Sequence, residues 1–529
     1  MRRVTASFLI FCSCAVAQFG RGGGWTTAGF DAQRSFWVRT DPKISKESLE
    51  KPGFQYLWKV KLNNQPVQMN SLTSAVTLEG YIGYRGFRTL AHLGGSSNHV
   101  FAIDVDLGRL EWEKALPGSM AQSSTPACPG GMTAEVSRPT PAGIAGGVPP
   151  RGGGNRGGAR SGVGEPGEGA VTITAAAARA GAPGAPPRGP DVPGGRGAAP
   201  PRGPGGGRGA PNAVYAISSD GKLHSMLVSN GDETGAPIDF VPANSNAHGL
   251  IIVDNAAYVA TVDGCGGAAN ALWAVDLVSK ESASWKPANG GIAGSLGAAF
   301  NTDGSLYVAT TEGDVAHLEA KTLKTLETYS AKPGFASTPV IFAYKSKTLL
   351  AVAGKDGSIH LLDVAALGGS DHQTPLAKTP AVANAANSEP ALASWQDNDG
   401  TRWILASTGS NVTAWKVVEE GSATKLQSGW TSREMVSPLA PMVINGVVFA
   451  LSSGEYRSTD AKLSAAERIK RSTPAVLYAL DSGTGKELWN SAKTIGSFVH
   501  GGTLSGGGTQ VYLETYDGNF YAFGFYIEH

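Results

Sequence analysis

The sequence contains few cysteines and has almost no net charge. Only 4 of its 529 residues are cysteine, and 44 basic side chains nearly balance 43 acidic ones. Residues 139–212 carry a charge of +5 and residues 1–3 carry +2, so the rest of the chain carries −6 and is not a general nucleic-acid binder. The sequence also lacks the C-x-x-C-H, EF-hand, H-E-x-x-H, G-x-S-x-G and Walker motifs. These absences exclude the enzyme classes that such motifs identify.

Long apolar runs are missing except at the N-terminus. Two arginines precede an apolar run at residues 6–16, which ends in the small-x-small pattern Ala15-Val16-Ala17. The run is shorter than the roughly 20 residues of a bilayer span. We therefore predict a cleaved signal peptide over residues 1–17 rather than a membrane anchor, and the lipoprotein cleavage pattern is not matched. We expect a periplasmic or secreted monomer without a transmembrane segment.

Removal of this signal would leave two cysteines, Cys128 and Cys265. Each lies beside glycines, where the backbone can bend, and neither has the spacing of a metal ligand. An exported protein with two thiols can form one disulfide. We predict a Cys128–Cys265 bond, and two free buried thiols are the alternative.

Glycine and proline are concentrated in one stretch of the chain. Residues 139–212 contain 23 Gly, 14 Pro and 8 Arg, but no Phe, Trp or Tyr. Such a segment cannot bury enough apolar surface to offset the entropy lost on ordering, so we predict a disordered insertion. Its arginines resemble RGG-type tracts, which bind RNA and other polyanions. In an exported protein, a flexible loop or a weak contact to anionic lipid or polysaccharide is the preferred interpretation.

Outside the insertion, one strand pattern repeats. Residues 102–112 and 479–489 both read A-x-D-x-x-x-G-x-x-x-W, and residues 274–285 form a copy that is one residue longer. Apolar strands of four to eight residues recur, several of them followed by Asp-Gly turns that are typical of hairpins. The only predicted helix spans 460–469. Eight opening strands are expected near Asn70, Ser124, His248, Ser295, Ser337, Ser388, Ser437 and His500.

These repeats predict an all-β fold, an eight-bladed β-propeller of four-stranded antiparallel blades. The last unit ends without a Trp-bearing strand, whereas residues 55–62 form such a strand with no unit before it. We therefore expect the N-terminal strand to complete the C-terminal blade, which removes exposed sheet edges.

The repeated motif resembles the tryptophan-docking motif of propellers of the pyrroloquinoline quinone (PQQ) type. Residues 25–34, which read WTTAGFDAQR, look like the N-terminal segment of the same superfamily. The resemblance implies one propeller domain over residues 18–529. We expect its tryptophans to pack between blades, its aspartates to accept turn N–H groups and its glycines to supply turn geometry. These structural residues are Trp58, Asp104, Gly108, Trp112, Trp285, Asp481, Gly485 and Trp489.

The resemblance leaves two functions open. The first is a scaffold for proteins or ligands without a cofactor, similar in design to the propeller lipoprotein of outer-membrane assembly, with envelope or extracellular proteins as partners. The second is a quinoprotein dehydrogenase that oxidises an alcohol or sugar with PQQ and Ca²⁺ in the channel. Many such enzymes stack the quinone on a disulfide between adjacent cysteines, which this chain lacks after the signal. The sequence therefore favours the scaffold.

A binding site in a propeller is expected at the channel mouth, where the innermost strands begin. The opening segments are rich in hydroxyls and amides, which ordinarily satisfy local backbone groups. A carboxylate and two imidazoles stand out there, and they could bind a metal or a small polar ligand. The candidate residues are His248, Asn387, Glu389 and His500. No catalytic residue can be assigned from the sequence.

Overall fold

Eight antiparallel sheets, numbered here as blades 1 to 8 along the chain, follow one another in a ring. This computed structural model describes residues 24–83, 86–118, 124–143, 212–382, 389–460 and 462–526. Each blade is built from short strands joined by tight turns. Gly264, Gly357 and Gly518, which end the predicted Asp-Gly turns, all have positive φ, at 66°, 75° and 77°.

The first four blades contain the following strands, given from the channel outward. Blade 1 contains Val76–Gly83, Gly86–Gly95, His99–Asp104 and Arg109–Ala115. Blade 2 contains Ala213–Ile217, Lys222–Leu227 and Ile238–Asp239, with an inner segment that bridges Ser137 to Tyr215. Blade 3 contains Asn246–Val253, Ala256–Val262, Ala271–Asp276 and Ser282–Trp285, with Pro139–Thr140 at its inner edge. Blade 4 contains Ala299–Phe300, Leu306–Ala309, Asp314–Leu318 and Thr325–Ser330.

The remaining blades follow the same order. Blade 5 contains Val340–Tyr344, Lys347–Ala353, Ile359–Asp363 and Ala377–Lys378. Blade 6 contains Ala391–Gln396, Arg402–Thr408, Asn411–Glu420 and Ala423–Thr431. Blade 7 contains Met442–Ile444, Val447–Ser452, Val476–Asp481 and Glu487–Asn490, with Trp37–Val38 at its inner edge. Blade 8 contains Ser505–Gly507, Gln510–Glu514 and Asn519–Gly524, and Gln55–Lys61 is its outermost strand.

The eight-bladed propeller predicted from the sequence is confirmed, with differences in detail. The helix predicted over 460–469 spans Ala465–Arg471, because the Ser464 side chain caps its N-terminus. A second helix, Lys46–Leu49, was not predicted. Short 3₁₀ turns cover Cys265–Gly267 and Gly369–Asp371.

Two predicted segments fall mostly beyond the described part of the chain. The predicted signal peptide, residues 1–17, lies outside the described residues. So does the predicted insertion, apart from residues 139–143 and Asn212. Pro139–Thr140 pairs in parallel with Ile252 and Val253, so these two residues belong to the sheet of blade 3.

Tryptophans join neighbouring blades. The indole of Trp58 lies against Gly108, where an added Cβ would be 2.4 Å from the ring, and its Nε1 donates to Val105 O at 3.0 Å. Trp112 donates to Val228 O of blade 2 at 2.9 Å. The motif glycine therefore receives the tryptophan of the preceding blade, and it must be glycine because a side chain would occupy the position of the ring.

The other motif tryptophans contact the next blade, and the motif aspartates accept hydrogen bonds within their turns. Trp285 donates to Thr325 Oγ1 at 3.0 Å in blade 4. Trp489 packs at a ring distance of 5.7 Å against Phe523 of blade 8. The two motif aspartates, Asp104 and Asp481, accept backbone N–H bonds within their own turns.

One tryptophan outside the predicted set joins blades in the same way. Trp430 donates to Ser482 O at 2.8 Å and covers Gly485. No A-x-D-x-x-x-G pattern precedes it at the motif spacing, so the repeat did not reveal it.

The chain from Trp25 to Asp41, here called the N-terminal segment, contacts all eight blades in order. Backbone N–H groups of blades 1, 2, 4, 5, 6 and 7 donate to its carbonyls, blade 3 accepts from Thr27 Oγ1, and blade 8 donates to the Asp41 carboxylate. The donors to its carbonyls are Thr77, Arg138, Phe300, Ile341, Ser394, Val443 and Asn445. A segment with this bonding pattern holds the inner edges of the blades together.

Candidate functional site

The channel holds a cavity of about 450 Å³, here called the channel cavity. Arg34 and Phe36 of the N-terminal segment line it, together with the segments that lead into the innermost strands. Its polar neutral lining consists of Asn70, Ser71, Thr73, Ser74, Thr133, Asn246, Ser295, Thr338 and Thr503. A cavity of this size is in the range of small-molecule sites, and its lining contains polar and charged side chains as well as apolar ones.

Arg34, which lines the cavity, has a structural role. Its guanidinium donates to the carbonyls of Ala28, Gly249, Leu296 and Ala298 and to Thr27 Oγ1. Burial lowers the pKa of Arg34 to about 10, which leaves it charged at neutral pH. Because these protein acceptors already engage the guanidinium, Arg34 fixes the N-terminal segment to blades 3 and 4.

One side of the cavity carries a cluster of ionisable side chains, here called the charged wall. It consists of Glu389, Arg468 and His500, which line the cavity, and of Glu455 and Arg457, which form ion pairs with them. Glu455 is 0% exposed, and its Oε2 accepts from Arg457 Nε at 3.0 Å. Its Oε1 accepts from His500 Nδ1, at 2.9 Å, and from Arg468 Nη2. Arg457 Nη1 lies 2.9 Å from Glu389 Oε2, so one network links three separate stretches of the chain.

The electrostatics of this wall keep Glu455 ionised. Burial would raise the pKa of Glu455, but Arg457, His500 and Arg468 outweigh it and lower that pKa to about 2. Arg457 likewise lowers the pKa of Glu389, whose side chain is 65% exposed. An ionised Glu455 accepts the Nδ1–H of His500, which leaves the Nε2 of this ring free to meet a ligand.

Two guanidinium nitrogens of the wall have no hydrogen-bond acceptor among the described residues. They are Arg457 Nη2 and Arg468 Nε, both buried, and Arg468 lines the channel cavity. A buried donor without an acceptor is unfavourable by about 1–3 kcal/mol, so this wall favours a ligand that brings an acceptor.

The facing side of the cavity is formed by blade 3 and the loop before blade 2. A disulfide between Cys128 and Cys265, with Cα atoms 5.4 Å apart, ties this loop to the turn after Ala256–Val262. Asn246 Nδ2 donates to Ala127 O at 2.9 Å and to Asp263 Oδ2 at 3.2 Å. Asn246 Oδ1 is buried without a donor among the described residues.

Three of the four candidate residues predicted from the sequence line the channel cavity. His248, Glu389 and His500 line the channel cavity, and Asn387 lies outside the described residues. Glu389 and His500 do not contact each other directly but are joined through Arg457 and Glu455. Sequence reasoning missed the two residues that join them, Glu455 and Arg457. The available signal was a Glu and an Arg two positions apart, directly after the strand Val447–Ser452.

A second cluster has the spacing of a nucleophile, base and acid. Ser218 Oγ lies 2.8 Å from His224 Nε2, and His224 Nδ1 lies 2.9 Å from Glu233 Oε1. Ser218 is 2% exposed and His224 is 0% exposed, and neither lines the channel cavity. Because a nucleophile must reach its substrate, this cluster is a structural network that binds the strands of blade 2 together.

Metal and membrane features can be assessed for the described part of the chain. There, His, Cys, Asp and Glu side chains do not form a group of three or more that could hold a metal ion. None of the described helices has the length and apolar character needed to cross a bilayer.

Solved structures share this fold at low sequence identity. Quinohemoprotein alcohol dehydrogenase from Comamonas testosteroni is 12% identical with a TM-score of 0.52, over 97% of this chain and 82% of that one. A europium-containing methanol dehydrogenase is 10% identical with a TM-score of 0.52, over 95% and 98%. BamB from Moraxella catarrhalis is 10% identical with a TM-score of 0.45, over 90% and 99%. No protein-family profile and no curated protein matches the sequence. Likeness at this identity shows the fold alone.

Proposed function

We propose that the protein is an exported binding protein that holds a small polar ligand in the channel cavity. The observation that supports this function is the pairing of unsatisfied groups across one cavity. Arg468 Nε offers a donor beside blade 7, and Asn246 Oδ1 offers an acceptor in blade 3. Blades 3 and 7 are four positions apart in a ring of eight, so Asn246 and Arg468 lie on opposite sides of the channel cavity.

The charges of the wall define the ligand further. Two carboxylates and two guanidiniums cancel formally, and His500 adds one positive charge when it is protonated. Such a wall presents donors and acceptors together rather than a strong field of one sign. The matching ligand therefore has a hydrogen-bond acceptor for Arg468 and an N–H or O–H donor for Asn246, as short peptides and saccharides have.

The alternative function needs PQQ and calcium in the same channel. PQQ is a planar tricarboxylate, so its site needs flat apolar faces and free cationic groups, and calcium needs six to eight oxygen ligands. Phe36 is the one Phe, Tyr or Trp among the described lining residues, and both lining arginines are bonded to protein acceptors, Arg34 to backbone carbonyls and Arg468 to Glu455. The described residues also provide no trio of metal-ligating side chains. The lining does not fit the quinone, and the binding protein is the better-supported function.

A ligand panel tests this proposal. Short peptides, monosaccharides and disaccharides are screened by thermal shift, and the affinity of each ligand that stabilises the protein is measured by calorimetry. We expect Arg468→Gln to weaken binding about tenfold or more, because a hydrogen bond to a charged group contributes about 1.5–3 kcal/mol.

Arg471→Gln is the matched control, since Arg471 lies on the same helix and its side chain is 47% exposed beside Glu467. Ligand affinity should be unchanged in this variant. Equal affinity of wild type and Arg468→Gln, or the absence of any stabilising ligand, would contradict the proposal.

A further inference from the structure

The N-terminal segment has a second face that does not line the channel cavity. Its even-numbered residues Arg34 and Phe36 line the channel cavity. Odd-numbered residues line a different pocket of about 20 Å³, which is room for one water-sized group such as an oxygen of a carboxylate or phosphate. The two sets of side chains therefore lie on opposite faces of the N-terminal segment. The second pocket, here called the arginine pocket, is lined by Asp31, Gln33, Ser35, Trp37, Arg39, Ile341, Phe342, Ala343 and Arg402.

Arg402 is the unusual residue of this pocket. It is 5% exposed, and it forms no ion pair with a carboxylate among the described residues. Its Nε has no acceptor there, and its Nη2 meets only Gln396 Oε1 at 3.5 Å. Its guanidinium carbon lies 5.3 Å from the Trp37 ring centre and 5.5 Å from that of Phe342. Buried charges in proteins are ordinarily paired, so this one has an incomplete environment.

A second guanidinium strengthens the positive charge of the pocket. Arg39 lies over the same Trp37 ring, at 4.4 Å from its centre. Asp31 is the one carboxylate that lines the pocket, and its two oxygens accept from Ser35 N at 2.9 Å and Ser35 Oγ at 2.6 Å. Two guanidiniums against one carboxylate leave one formal positive charge. Burial, and then Arg39, lower the pKa of Arg402 to about 10, so it remains charged at neutral pH.

We propose that the arginine pocket binds an oxyanion, a phosphate or a carboxylate group, through Arg402 and Arg39. The planar guanidinium fork matches both oxyanions, and the aromatic rings hold the fork in place. The bound anion would fasten the N-terminal segment to blade 5, which supplies Phe342, and to blade 6, which supplies Arg402. This site is independent of any ligand in the channel cavity.

Anion-dependent melting tests the proposal. Inorganic phosphate and, separately, sodium acetate are titrated at constant ionic strength with sodium chloride, and the melting temperature of the full chain is recorded. Because an anion that binds only the folded state stabilises it by mass action, we expect a saturable rise of about 2–4 °C with at least one of the two anions. The responding anion identifies the oxyanion as a phosphate or a carboxylate group.

Three variants separate this site from a general salt effect. Arg402→Gln and Arg39→Gln should each reduce the rise by at least half. Arg433→Gln should keep it in full, since Arg433 is exposed and pairs with Glu487 at 2.7 Å. If Arg402→Gln does not fold, Arg39→Gln decides, because Arg39 lies nearer the surface. An equal rise in wild type and Arg39→Gln would show an adventitious ion only, and no rise with either anion would also overturn the proposal.

Discussion

Gly108 and Gly80 have the same φ of +62°, but only Gly108 lies under a tryptophan ring. An alanine Cβ at position 108 would meet Trp58 at 2.4 Å, whereas at position 80 nothing lies within 4 Å. We expect Gly80→Ala to destabilise the protein by about 1 kcal/mol, the penalty of a left-handed conformation. Gly108→Ala should add about 1–3 kcal/mol from overpacking. Urea unfolding of both variants measures the difference, and equal losses would show that the indole contact contributes nothing.

Glu514 links stability to pH. Burial raises the pKa of Glu514 from 4.5 to about 8, while Ala75 N donates to its Oε1 at 3.0 Å. A folded pKa above the unfolded one means that the folded state holds the proton more tightly. The contribution is therefore complete below pH 4.5 and is lost as pH rises towards 8.

Glu514→Gln tests this linkage, because glutamine keeps an oxygen for Ala75 N but does not titrate. The free energy of unfolding of the wild type should fall relative to the variant by on the order of 4 kcal/mol between these pH values. Denaturation at several pH values measures this difference. Glu50→Gln, at an exposed position, should behave as the wild type does. Parallel pH profiles of wild type and Glu514→Gln would contradict the assignment.

The blades could be predicted from the sequence because each carries its own strand pattern and turn. The contacts between segments could not. Arg468 lies in a helix, whereas Glu455 and His500 lie in loops. Nothing in the sequence around each residue indicates that the three side chains contact one another. Trp430 was missed because no copy of the motif precedes it, and its contact with Gly485 of the next blade is visible only in the structure.

The start of the insertion also depends on contacts that local composition does not show. Gln33 Nε2 donates to Ala142 O at 2.5 Å, and Thr140 Oγ1 donates to Thr26 Oγ1 at 2.9 Å. Deletion of residues 147–206 should leave the melting temperature unchanged, because their composition cannot form a core. Deletion of 139–212 should lower it by several degrees, because it removes these bonds. Calorimetry of the two deletions measures the effect, and equal melting temperatures would show that residues 139–143 do not stabilise the ring.

The whole ring depends on its N-terminal part. The N-terminal segment bonds to every blade, and Gln55–Lys61 pairs with Asn519–Gly524 as the outermost strand of blade 8. Without residues 24–62, blade 8 would have an open edge and the inner edges of the blades would lose their common partner. We expect that truncated chain to show no cooperative thermal transition, whereas a chain that begins at Gln18 should melt cooperatively. A stable, monomeric truncated chain would refute this role.

The molecule as a whole is an eight-bladed propeller, and our central proposal is that its channel binds a small polar ligand rather than a quinone. Titration of the purified protein with PQQ and Ca²⁺, followed by quinone absorbance and by dye reduction with alcohols and aldoses, tests this claim most directly. We predict no stoichiometric binding and no dye reduction, because the described residues provide no trio of metal-ligating side chains and both arginines of the lining are already bonded to protein acceptors. Tight stoichiometric binding of PQQ with substrate-dependent dye reduction would contradict the account and identify the protein as a dehydrogenase.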